Sequence, residues 1–72
     1  MIAKAANKTR FNTMAHAAAE AERAMDYELA AKMWGEALAY AQQKVNQNWC
    51  QSRQDFCLRM LKKKKNGLRE GQ

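Results

Sequence analysis

From Phe11 onward the apolar residues fall three and four positions apart: Phe11, Met14, Ala18, Ala21 and Met25. That is the period of one face of an α-helix; a half-buried strand would instead alternate every second residue. No proline interrupts the chain, and glycine is confined to Gly35, Gly67 and Gly71. Alanine, which costs least in a helix, dominates the first half. The fold class that follows is all-α.

The period divides the chain into three helices, expected over about 9–25, 27–44 and 47–63. Asp26 suits the N-cap of the second, because its side chain accepts from the orphan amides of the first turn. A connection this short admits only an antiparallel hairpin. The inward face of helix two reads Tyr27, Ala30, Ala31, Trp34, Ala37, Leu38, Ala41 and Val45. Asn46-Gln47-Asn48 supplies the next break, since asparagine caps helices and tolerates turns. Trp49, Phe56, Met60 and Leu61, flanked by Cys50 and Cys57, then continue the helical spacing, and Asn66-Gly67 ends it. The domain organisation expected is a flexible basic stretch 1–8, a three-helix domain 9–63 and a flexible basic tail 64–72.

Packing gives the alanines their purpose. Ala17, Ala18 and Ala21 facing Ala30, Ala31 and Ala37 let two backbones come close, with Phe11, Trp34 and Trp49 filling the space around the contact. Gly35, costing about 1 kcal/mol inside a helix, is expected where something approaches the backbone. In 72 residues such a core is thin, and help from a partner or a second copy of the chain is expected.

The net charge is +6, but it is unevenly placed. Lys4, Lys8 and Arg10 stand unopposed at one end; Lys62, Lys63, Lys64, Lys65 and Arg69 outnumber Glu70 at the other; residues 11–60 are close to neutral. The Lys62–Lys65 run reads as a solvated helix end, with weak, sequence-blind contact to nucleic acid as the alternative.

Catalysis and metal binding are poorly provided for. His16 has no cysteine or carboxylate at ligand spacing on its helix, and a zinc site needs about four ligands. A nucleophilic cysteine needs a base beside it. Cys50 and Cys57 are instead expected to pack as small apolar residues beneath Trp49 and Phe56; seven positions apart, their Cα atoms lie roughly 10 Å from each other along a helix, too far for a disulfide. No enzyme, metal site or cofactor is expected. No apolar run approaches the length of a membrane span, and the expected compartment is the cytoplasm. Residues off the core stripes, Leu29, Met33 and Tyr40 on helix two and Leu58 on helix three, are the candidate partner contacts, together with Arg53.

The stretch from Met25 to Leu38 resembles the middle of a tetratricopeptide repeat, whose Gly-Asp-Tyr-x-x-Ala-x-x-x-aromatic-x-x-Ala-Leu pattern it follows with Met25 in place of the glycine. Only one copy is present, so an array is excluded while a repeat-like hairpin is not. A longer resemblance joins all three helices: Ala18, Glu22, Arg23, Ala24, Asp26 and Tyr27, then Ala30, Ala31, Trp34 and Ala37, then Asn46, Trp49, Cys50, Arg53, Phe56 and Cys57. This order is similar to that of the AraC negative regulator family. The resemblance implies an anti-activator that binds an AraC-type virulence activator directly and interferes with its dimerisation or DNA binding; some members of the family also engage a nucleoid-associated silencing protein, which would be a second partner. A small basic DNA-binding or activating protein of the plasmid-encoded regulator C type is the nearest alternative.

Overall fold

A computed structural model describes residues 2–70, with side chains described over 8–65. Among the described residues there are three helices: α1, Ile2–Arg23; α2, Tyr27–Tyr40; and α3, Lys44–Glu70. Lys4 and Arg69, part of the basic ends, have side chains outside the described residues.

The first turn is fixed by two caps back to back. Asp26 N–H donates to Ala21 C=O (2.9 Å) and Met25 N–H to Glu22 C=O (2.9 Å), the paired bonds of a Schellman closure for α1. That closure puts Met25 at φ 62°, in the left-handed region, at the position glycine takes by preference. Asp26 then caps α2, its carboxylate accepting from Leu29 N–H at 3.3 Å, as its sequence position predicts. Ala41, extended at φ −73° and ψ 125°, ends α2.

Helix α2 lies between the other two. It packs along both α1 and α3, while α1 and α3 scarcely meet. At about 100° per residue, Ala30, Ala37 and Tyr40 turn toward α1, and Tyr27, Ala31 and Gly35 toward α3; Trp34 stands on the shared arc. The buried core is Phe11, Ala15, Ala18 and Ala21 of α1, Ala30, Ala31, Trp34 and Ala37 of α2, Ala41, and Cys50 and Cys57 of α3. Small residues thus line the contacts with one indole between them, as the alanine pattern predicts.

Three placements correct the sequence reading. Val45 does not extend the inward face of helix two: α2 ends at Tyr40, and Val45 sits in the first turn of α3, 67% exposed. Met25 leaves the core stripe because the left-handed turn swings it out, 60% exposed. Trp49 lies edge-on against Trp34, with ring centroids 4.8 Å apart, yet keeps 47% of its surface in water. It occupies the flank of α3, and Cys50 takes the central position. The helices also run further than the period suggests, α1 starting at Ile2 and α3 spanning Lys44–Glu70, so the backbone is helical across 2–8 and 64–70. Neither stretch holds a proline to stop it, and Gly67 alone costs only about 1 kcal/mol.

Candidate partner-binding site

Glu22 ties the three helices together. It continues the α1 stripe Phe11, Ala15 and Ala18, and so points into the interface among alanines. Its Oε1 accepts from Trp34 Nε1 of α2 at 3.0 Å and from Arg53 Nε of α3 at 3.3 Å. Arg53 also closes an ion pair on Oε2 with its terminal nitrogen, and Cys57 Sγ lies 3.7 Å from Oε1. A carboxylate drawn out of water needs such partners. Arg53 lies over the Phe56 ring as well, 4.6 Å from its centroid, and Phe56 meets Tyr27 edge-on at 6.2 Å. Arg53 is therefore committed within the fold. Glu22 is the residue that sequence reading undervalued; the available signal was an acid on an otherwise apolar inward stripe.

The other predicted contacts separate into two places. Leu29, Met33 and Tyr40 share one stripe of α2 by helical phase; Leu29 is 44% exposed, while Met33 and Tyr40 are half-buried against the core. Arg10 of α1 lies over the Tyr40 ring at 5.9 Å and donates to its hydroxyl at 3.5 Å. Leu58, 48% exposed, stands on the opposite flank of α3 from Trp49. The α3 flank that carries Arg53 toward α1 also carries Val45, Trp49, Phe56 and Met60, an apolar edge beside the gap where α1 and α3 diverge.

Both cysteines are free and fully buried. Burial pushes each thiol up from its ordinary range, and nearby Arg53 offsets part of the rise at Cys57. His16 is exposed and lies 3.7 Å from Glu20. Arg23, bonded to Glu20, holds that carboxyl below its usual range. Among the described residues, no group of three His, Cys, Asp or Glu side chains could hold a metal ion, and no helix is long and apolar enough to cross a membrane.

Lys62 to Lys65 are all exposed. Four consecutive positions pass right round the helix, so only part of the run faces the body. Lys64 and Lys65, with Leu61, line a cleft of about 380 Å³ against Ala24, Met25, Asp26, Tyr27 and Glu28. No family model, curated protein or solved structure matches this chain.

Proposed function

We propose that this chain is a negative regulator of transcription that binds an AraC-type activator directly and blocks its dimerisation or DNA binding. The observation that carries the binding part is Trp49, an indole in T-shaped contact with Trp34, yet left 47% exposed. Tryptophan is among the residues from which interface hot spots are most often built. Leu29, Val45 and Leu58 add further apolar surface on a chain of 72 residues. The nature of the partner comes from the resemblance to the AraC negative regulators, whose Glu22, Trp34, Trp49, Arg53, Phe56 and Cys57 positions here lie around one junction.

Purified chain and a purified AraC-type activator are the test. Wild type should capture the activator and lower its DNA occupancy, while Trp49→Glu, and separately Leu29→Glu with Met33→Glu, should lose capture with helicity intact by circular dichroism. Full capture by both variants would refute the surface assignment, and no capture by wild type would refute the partner.

The exposed lysines favour a second reading, direct contact with nucleic acid. Under it, removing residues 62–72 cuts DNA affinity and its salt slope; under the first reading, the same truncation leaves DNA occupancy by the activator still sensitive to the chain.

A further inference from the structure

The exposed indole of the partner-binding edge is joined to a largely buried acid through one intermediate ring. Trp49 meets Trp34 edge-to-face, with ring centroids 4.8 Å apart and planes inclined at 74°, a contact that holds for one setting of the Trp34 ring. Trp34 is buried, and apart from Phe11 its buried companions are alanines and cysteines. Among side chains this small, shape discriminates weakly between the two orientations that an aromatic ring takes about its outer torsion. The indole N–H discriminates strongly. In the orientation found it donates to Glu22 Oε1 at 3.0 Å; turned over, it would enter an apolar core unpaired and leave the carboxylate short of a donor.

The same carboxylate reaches a second ring. Its Oε1 also accepts from Arg53 Nε at 3.3 Å, and its Oε2 pairs with a terminal nitrogen of that guanidinium, a two-point hold that orients the planar group as well as binding it. The guanidinium lies over Phe56, 4.6 Å from the ring centroid. Trp49 and Phe56, the aromatic rings of the α3 edge, are thus each one side chain removed from Glu22, while Glu22 itself keeps only 17% of its side-chain surface in water.

We infer that Glu22 is a positioning residue for partner binding: it sets the Trp34 ring against which Trp49 stands and the guanidinium that covers Phe56, so that the edge meets its partner with both aromatic side chains in place. Side chains held before association lose less freedom on binding. The inference rests on the partner-binding reading above and adds to it a residue that acts from within the fold.

Two indoles this close and this steeply inclined couple excitonically, and the couplet they produce in far-ultraviolet circular dichroism reports their mutual orientation. The full chain should show it as a difference from Trp49→Phe. Glu22→Gln, whose amide oxygen still accepts from Trp34, should keep the couplet; Glu22→Met, of similar length but without an acceptor, should lose most of it while the helical bands remain. Capture of the purified AraC-type activator should weaken about tenfold in Glu22→Met and less in Glu22→Gln. If Glu22→Met unfolds, Glu22→Met with Arg53→Met takes its place, since replacing both members of an ion pair by apolar side chains is often tolerated where removing one is not; it too should lack the couplet. A couplet absent from wild type, unchanged without the acceptor, lost equally in Glu22→Gln, or lost with capture undiminished would overturn the role. Of these, an unchanged couplet beside normal capture by wild type removes the role and leaves the regulator reading standing; a couplet that depends on Glu22 as described, with no capture by wild type, removes the regulator reading alone.

Discussion

Arg53 of α3 closes its ion pair on Glu22 of α1, thirty-one positions earlier, across a gap where the two helices otherwise hardly touch. The same carboxylate accepts from the indole of Trp34 on the helix between them. One acid therefore links α3 and α2 to α1.

Loss of that acid should be felt throughout the fold. Breaking a fully buried pair costs about 3–5 kcal/mol, but the Arg53 and Glu22 side chains keep 35% and 17% of their surface exposed. Solvent screening lowers the expectation to about 1–3 kcal/mol for Glu22→Gln. Urea unfolding of Glu22→Gln, Arg53→Met and the double variant should show coupling between the sites. Strict additivity would mean the pair does not hold α3 in place.

Met25→Gly should raise stability by about 1 kcal/mol, because the Schellman closure then no longer forces a side chain into the left-handed region. Met25→Ala, which keeps the Cβ, should not. A thermal midpoint that rises equally in both variants would assign the effect to the removed thioether and not to the backbone.

Gly35→Ala puts two effects in opposition. Alanine gains about 1 kcal/mol of helix propensity, but its Cβ would lie 2.6 Å from Gln54 Nε2, which donates to Ala31 C=O at 3.1 Å. Displacing Gln54 gives up that bond, so the single change should be close to neutral or destabilising. In a Gln54→Ala background the same Gly35→Ala change should stabilise by about 1 kcal/mol. Equal effects in the two backgrounds would show that Gln54 is not the obstacle.

Cys50 and Cys57 should resist alkylation in the native protein and react freely once it is unfolded, since burial removes access and raises both thiols. Their linkage to stability has a definite sign. A thiol raised in the folded state favours folding below its unfolded pKa, and the contribution disappears as pH climbs through the folded value. Stability should therefore decline in the alkaline range above the ordinary thiol pKa, and less so in Cys50→Ala with Cys57→Ala. Rapid native labelling at neutral pH would contradict the buried placement.

The sequence by itself determined that the chain is helical, that it divides into three helices, and where the first turn falls. Those properties are local: the three-and-four spacing of Phe11 to Ala21, the absence of proline, and an aspartate at position 26 act over a few residues each. The alanine stripes and the two cysteines also declared themselves as core, because a small apolar residue at helical period has few other uses.

Tertiary structure decided what helical phase leaves open. Trp49, Cys50 and Arg53 all lie within reach of the inward arc of α3, and only docking against α2 gave Cys50 the centre, left Trp49 on the edge and sent Arg53 to Glu22. Likewise Met25 sits on the α1 stripe by spacing, but the paired Schellman bonds turn it outward. Periodicity specifies which side of a helix is apolar; how far that side is covered depends on the distance and angle of a neighbour many residues away.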